Sequence, residues 1–334
     1  MEERKKDHIQ LAFESRTEQS QKDNRFYYEP LLSSHPEKSV KALPFLGKTM
    51  QYPIWISSMT GGTKLAGTIN KNLALLCKEF GLGMGLGSCR IILDDDQYLP
   101  DFQVRKYIGD EQPLYANLGI AQVEDLLKRN RLTQIDELLD KLEADGLIVH
   151  VNPFQEFFQP EGDIISRPPI ETISKLLDRT DHRIVVKEVG QGMGPESLSQ
   201  LLQLPVSGIE FAAFGGTNFS KLEMLRSDNG EAGDLAQFAN CGHTALEMTR
   251  FLLDYQQQHS SRKLPNLIIS GGIRNFLDGY YLIRQFESPA VYGQASAFLK
   301  HAMKDYEDLK QFALQQIKGL ELAQAYLRAK TIHL

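Results

Sequence analysis

Eight short apolar runs, each ending near Gly, Ser, Asn or another polar residue and followed by a stretch with helical spacing, predict an α/β protein. The runs are Ile54 to Ser58, Gly83 to Gly87, Leu114 to Leu118, Leu147 to Val151, Ile184 to Val189, Gly208 to Ala212, Leu267 to Ser270 and Ala290 to Gly293. Eight such repeats predict parallel strands closed into a single TIM (β/α)8 barrel, with an open doubly wound sheet as the competing arrangement. The chain has 334 residues, more than the ~250 of a typical barrel, so segments beyond the barrel are expected.

The helices are justified in turn. Ile69, Leu73, Leu76 and Phe80 share one face, and Gly81 closes that helix. Ile135, Leu138, Leu139 and Leu142 share another, opened by Thr133-x-x-Asp136 as a capping box. Later helices are expected to begin near Pro168, Pro195, His243, Asn275 and Ser296, with both prolines in the first turn, where a missing N–H costs nothing. Leu309, Phe312, Ala313, Ile317 and Leu320 define a terminal amphipathic helix from Asp305 to about Leu327. Residues 1–53 precede the first strand and begin with a polar, charged stretch that could bury no core alone, so they are expected to form an arm or lid and lead into the barrel of residues 54–334. A long acidic loop, Ser227 to Gly242, follows the sixth strand as a candidate cover.

Lys and Arg number 37 against 43 Asp and Glu, a net charge of −6, which disfavours a nucleic-acid partner but leaves room for a basic pocket taking a small anion. No apolar run has the ~18 residues a membrane span needs. The charged start, Met1 to His8, does not read as a signal peptide, and the three cysteines suit a reducing compartment, so a cytoplasmic protein is expected.

Barrels place their chemistry at the C-terminal ends of the strands. There this sequence has Ser58-Met59-Thr60-Gly61-Gly62-Thr63, Gly87-Ser88-Cys89-Arg90 and Ala116-Asn117-Leu118-Gly119. The fourth strand runs into His150-Val151-Asn152-Pro153-Phe154-Gln155-Glu156, a denser set of polar groups than burial requires. One carboxylate, Glu156, among neutral amides suits Mg²⁺ shared with a substrate phosphate rather than zinc. Lys187, inside the apolar run Ile184 to Val189, needs an anionic partner, either a bound ligand or a neighbouring carboxylate such as Glu188. Strands six to eight end in Gly215-Gly216-Thr217, Ser270-Gly271-Gly272-Ile273-Arg274 and Gly293-Gln294-Ala295-Ser296, a pattern that predicts a phosphate-bearing cofactor at those loops.

The set Arg4-Lys5-x-x-His8, Met59-Thr60-Gly61-Gly62, Ala116-Asn117-Leu118-Gly119, His150-x-Asn152-x-x-Gln155-Glu156, Lys187-Glu188-Val189-Gly190, Gly215-Gly216-Thr217 and Ser270-Gly271-Gly272-Ile273-Arg274 resembles the type 2, FMN-dependent isopentenyl-diphosphate Δ-isomerase family. The resemblance implies FMN, Mg²⁺ and NADPH as reductant, and interconversion of isopentenyl and dimethylallyl diphosphate with reduced flavin as acid and base. It implies FMN contacts from Ser58, Met59, Thr60, Ser88, Asn117, Lys187, Thr217, Gly271, Gly272, Arg274, Ala295 and Ser296. Arg4, Lys5, His8, Ser88, Arg90, His150, Asn152 and Gln155 would face the diphosphate substrate, with Glu156 on the metal. Gln155, His150, Asn152 and Lys187 are the catalytic candidates, and a homo-oligomer, tetramer or octamer, is implied. Departures from the family pattern are Cys89, Ala213, Asn240-Cys241-Gly242-His243-Thr244 and Tyr280-Tyr281. The rival readings are an FMN-dependent 2-hydroxy-acid oxidoreductase on the same barrel and a non-catalytic flavin-binding homologue.

Overall fold

The structure, a computed structural model, describes residues 2–36, 41–58, 63–226 and 233–333. Eight parallel strands, β1 (Ile54–Ile56), β2 (Gly83–Gly85), β3 (Leu114–Gly119), β4 (Gly146–His150), β5 (Ile184–Lys187), β6 (Gly208–Glu210), β7 (Asn266–Ser270) and β8 (Ala290–Gln294), form a closed barrel. Each pairs with the next in sequence and β8 returns to β1, through Tyr292 beside Ile54. This is the predicted barrel rather than the open sheet. The strands β1, β2, β4, β5 and β6 stop earlier than expected, so Ser58, Gly87, Val151, Val189 and Ala212 belong to the loops at the mouth.

The strands close because their interior volume alternates between large and absent side chains. Trp55 and Tyr115 are fully buried inside the barrel, with ring centroids 6.1 Å apart. Their neighbours yield the space: a Cβ on Gly83 would lie 2.5 Å from the Trp55 ring, and one on Gly146 2.5 Å from the Tyr115 ring. The N-terminal mouth is stoppered by a hairpin of Leu43–Phe45 and Lys48–Met50. Its turn holds Leu46 at φ 49° and Gly47 at φ 84°, the two left-handed positions that a two-residue hairpin turn requires. Leu46 tolerates that backbone because it is clamped on both sides: its N–H donates to Asn266 Oδ1 and its carbonyl accepts from Tyr115 Oη at 3.2 Å. Phe45, Leu46 and Met50 join Trp55, Tyr115, Ile148, Val185, Ile268 and Val291 in one apolar cluster. This part of residues 1–53 therefore seals the end of the barrel opposite the strand termini expected to carry chemistry.

Farther out, Phe26–Tyr28 pairs antiparallel with Leu327–Ala329. Phe26 stacks on Tyr280 and meets Tyr281 edge-on, and Tyr280 Oη donates to the Leu327 carbonyl. The Tyr280-Tyr281 departure thus grips the paired terminal strands. The helix Glu2–Leu11 is exposed, and Arg4, Lys5 and His8 on it are exposed.

Most helix starts lie where expected, with two corrections. Helix Thr133–Leu142 has Leu132, in helical backbone, before it, so Thr133 falls inside the first turn and its side chain makes no cap. The capping box forms instead at Thr244 and Glu247, opening Ala245–Gln258. Helix Pro169–Leu177 carries Pro169, not Pro168, in its first turn; a residue preceding proline is kept out of the helical region, and Pro168 is extended at ψ 127°. Gly81 caps Lys64–Phe80, Asn275 caps Phe276–Ile283, and the terminal helix runs Tyr306–Tyr326 behind Asp305. Among the described residues no helix is long and apolar enough to cross a membrane.

The close approach at Gly83 gives a stability test. Gly83→Ala puts a methyl within 2.5 Å of a ring that cannot move. It is expected to lower the urea midpoint with an unchanged slope, a loss of about 1–3 kcal/mol.

Candidate active site

The strand ends open onto two adjoining cavities. The larger, about 460 Å³, lies over β5 to β8 and β1; the smaller, about 90 Å³, lies over β2 to β5. Ser58, Lys187, Val189 and Phe219 line both. Strand register sets His150, Lys187 and Glu210 in one row across β4, β5 and β6.

Lys187 is 6% exposed, and its Nζ donates to the Glu188 carbonyl at 2.7 Å. It does not ion-pair with the Glu188 side chain. That carboxylate turns away and accepts N–H groups from Gly190, Gln191 and Gly192 through Oε2, at 2.7, 2.6 and 2.9 Å. Burial pushes the Glu188 carboxyl above its ordinary range, against the pull of those amides and of Lys187. The expectation that a neighbouring carboxylate satisfies Lys187 fails for Glu188, and the ammonium is left facing the cavities with no ion pair among the described residues.

In the larger cavity the polar groups await partners. Ser57 Oγ, Ser58 Oγ, Glu210 Oε2 and Gln294 Oε1 are buried with no hydrogen-bond partner among the described residues, and all four residues line it. Thr217, Gly271, Gly272, Arg274, Ala295 and Ser296 line it as expected. The glycines are needed first for packing: a Cβ on Gly271 would sit 2.1 Å from the Ala213 carbonyl oxygen, so the turns after β6 and β7 touch backbone to backbone. Two further residues on the wall, Glu210 and Lys300, were not anticipated. Glu210 carried the signal that marked Lys187, a charge inside a buried strand; Lys300, on an exposed helix position, carried none.

Ser88, Asn117, His150 and Gln155 line the smaller cavity. Asn117 donates its amide N–H to the Leu86 carbonyl, which turns Oδ1 toward His150 Nδ1 at 2.8 Å. An amide oxygen only accepts, so the proton sits on Nδ1 and the Nε2 lone pair stays open. Burial, aided by Lys187, depresses the His150 pKa to about 3. Asn152, 2% exposed, donates to Gln155 Oε1 and Glu156 Oε1, leaving the Gln155 amide N–H groups free. Glu156 Oε2 accepts the Asp163 N–H at 2.7 Å. Asn152 therefore lies behind the wall and sets the direction of two neighbours.

Not all expected residues converge. Arg90 is exposed and bound to Asp163 at 2.6 Å, outside both cavities. Arg4, Lys5 and His8 line neither cavity. Met59 and Thr60 lie outside the described residues, as does the first part of the loop from Ser227. The part from Gly233 to Asn240 is held by Gln191, whose amide donates to the Phe238 and Cys241 carbonyls, and Phe238 meets Phe154 at 5.1 Å. The departure at Asn240 to Thr244 thus keeps a hold on this loop. Cys89 is fully buried and its pKa is pushed up to about 12, which makes it packing rather than a reactive thiol.

No protein-family model matches the chain. Among solved structures it resembles a flavocytochrome b2 with sulfite bound, with TM-score 0.60 and 16% identity over 90% of this chain and 72% of that one. A mandelate oxidase with the monooxide FMN adduct gives TM-score 0.54 and 12% identity over 92% and 88%. At those identities the likeness is one of fold. The sequence is closer to the isopentenyl-diphosphate delta-isomerase of Nostoc sp., 33% identical over 94% of this chain and 89% of that protein. The Rickettsia africae protein of the same name is 33% identical over 90% and 86%. On this extent of similarity, the chain belongs to the isopentenyl-diphosphate delta-isomerase family.

Proposed function

We propose that the chain interconverts isopentenyl and dimethylallyl diphosphate by an allylic proton shift, with FMN in the larger cavity and the substrate's carbon chain in the smaller. The carrying observation is the pair of cavities sharing Lys187, a buried cation without an ion pair among the described residues, beside four polar atoms that lack a partner among them. The orphaned hydroxyls, amide and carboxylate fit the mixed donors and acceptors of a flavin ring, and the glycine turns with Arg274 fit its phosphate. Reduced FMN, when bound, would supply the proton donor and acceptor of a reaction with no net redox change, NADPH being the proposed reductant.

The chain's own residues bind, orient and exclude. Lys187 favours an anionic form of the flavin ring and so supplies itself with the anion its burial demands. Gln155 presents amide N–H groups and is too weak an acid to protonate an alkene, so its part is orientation. His150, held neutral, offers Nε2 as an acceptor rather than a cation. Glu156 uses each carboxylate oxygen for one hydrogen bond and retains lone pairs on both. Among the described residues no cluster of three His, Cys, Asp or Glu could hold a metal. That fits Mg²⁺ only in the form that takes one protein carboxylate and completes its shell with water and diphosphate oxygens. Arg90 would exchange Asp163 for the diphosphate, and Arg4, Lys5 and His8 on the exposed arm would close over it, keeping water out. The hydroxy-acid oxidoreductase reading needs a histidine base beside an arginine; His150 shares its cavity with Asn117, Gln155 and Lys187, and no arginine lines that cavity among the described residues.

An anaerobic assay with isopentenyl diphosphate, FMN, Mg²⁺ and NADPH in D₂O tests this. Reduced enzyme is expected to form dimethylallyl diphosphate carrying deuterium, and equal turnover by oxidised enzyme would overturn the flavin role; lactate should not reduce the flavin. Glu156→Gln is expected to lose Mg²⁺-dependent turnover while holding FMN, and unchanged activity would remove Glu156 from the metal site. For His150 the folded pKa lies below the unfolded value of ~6.5, so the unfolded chain takes up the proton first as pH falls. Stability from this group is complete above ~6.5 and drains away as pH drops toward about 3. The urea midpoint of His150→Gln should therefore fall less steeply than wild type between these limits, and parallel slopes would show that His150 is not buried neutral.

A further inference from the structure

Arg90 follows by two residues Ser88, which lines the smaller cavity, and its main chain is anchored: the preceding residue, Cys89, is fully buried and donates its N–H to the Asn117 carbonyl at 2.7 Å. The Arg90 side chain is held in a fork by Asp163, with Nη1 on Oδ2 at 2.6 Å and Nη2 on Oδ1 at 3.4 Å. Asp163 itself cannot follow if Arg90 turns away. Its N–H donates to Glu156 Oε2 at 2.7 Å, and Gln122 Nε2 donates to its Oδ2 at 2.8 Å. The neighbouring Gly162 lies so close to the Glu156 carbonyl oxygen that a Cβ would come within 1.9 Å of it. Three residues on, Ser166 is bound through N–H and Oγ to the buried Glu124. Gln122 is set in turn over Gly119, where a Cβ would lie 2.2 Å from its Oε1 and 2.9 Å from His150 Nε2. The fixed carboxylate thus stands one side chain from the wall of the smaller cavity and one main-chain hydrogen bond from Glu156.

A guanidinium fork fits a carboxylate and a phosphate alike, and the same pair of N–H groups cannot serve both at once. We propose that Asp163 is a built-in competitor of the substrate: it occupies Arg90 in the empty site, and a diphosphate engages Arg90 only by displacing it. The proposal rests on the reading that Arg90 takes the diphosphate. Asp163 acts through Arg90, so it is a positioning residue. Its carboxylate holds diphosphate affinity below what the cations at the mouth could give, and it aids release of a diphosphate product by recapturing the arginine. Both members of the pair are partly exposed, so the competition amounts to a small factor, about two- to fivefold.

The test is calorimetric titration of the FMN-loaded full chain with inorganic pyrophosphate in excess Mg²⁺, on wild type, Asp163→Asn, Arg90→Met and the double variant. Arg90→Met is expected to weaken pyrophosphate about tenfold. Asp163→Asn is expected to tighten it about two- to fivefold, a direction that structural damage would not give. In the Arg90→Met background Asp163→Asn is expected to change nothing. Wild type that binds no pyrophosphate, or Arg90→Met that binds it as well as wild type, overturns the placement of Arg90 on the diphosphate and the proposal with it. Weakening by Arg90→Met while Asp163→Asn binds as wild type does, or worse, overturns Asp163 alone. Equal tightening with and without Arg90 marks a general loss of negative charge and also overturns the proposal.

Discussion

An ammonium group at the end of β5, 6% exposed and answered among the described residues only by a main-chain carbonyl, is the constraint around which the upper half of the barrel is arranged. Removing a cation from water costs several kcal/mol unless an anion is supplied. Here the nearest candidate, Glu188, spends its carboxylate on three backbone amides and so fixes the loop after β5 instead. That loop carries Gln191, which holds the described part of the cover after β6. One unneutralised charge and one diverted carboxylate therefore organise both the binding wall and what lies over it.

The lower half is built on the opposite principle, complete satisfaction. Trp55 and Tyr115 fill the interior, glycines on the adjoining strands make room for them, and the Leu43–Met50 hairpin closes the end with its strained turn anchored at both backbone groups. Close packing below and orphaned polar atoms above give the molecule a polarity along the barrel axis. The rigid end holds strand positions; the open end keeps its hydrogen-bonding capacity for a ligand.

Much of this was legible in the residues. The eight strands were readable because parallel strands buried on both faces appear as short Ile- and Val-rich runs, and the glycine-rich ends marked the side on which the larger cavity opens. Lys187 and His150 stood out as polar groups in apolar surroundings. What escaped depends on contacts between distant segments. Nothing near Asp163 announces that it engages Arg90, and nothing near Lys300 announces a cavity. The failed cap at Thr133 is a local ambiguity of another kind: the chain has already entered helical backbone at Leu132, so the Thr-x-x-Asp pattern falls inside the first turn. The hairpin that stoppers the barrel was hidden because its residues pack across the barrel mouth rather than with each other.

The pairing of Phe26–Tyr28 with Leu327–Ala329 has a temporal meaning as well as a spatial one. Leu327–Ala329 is the last described element to be synthesised, and it joins one of the first. Its register is braced on Tyr280 and Tyr281, in the helix that begins just after Arg274. A nascent chain can complete every barrel strand and still lack this outer belt, so the helix behind the Gly271–Arg274 turn gains this support only once Leu327–Ala329 has been made and has paired. Loop closure over almost the whole chain is among the slower events a fold can require. The Gly271–Arg274 turn is thereby backed by a helix that leans on two segments far apart in the chain, and loss of Leu327–Ala329 would leave that helix without its outer support.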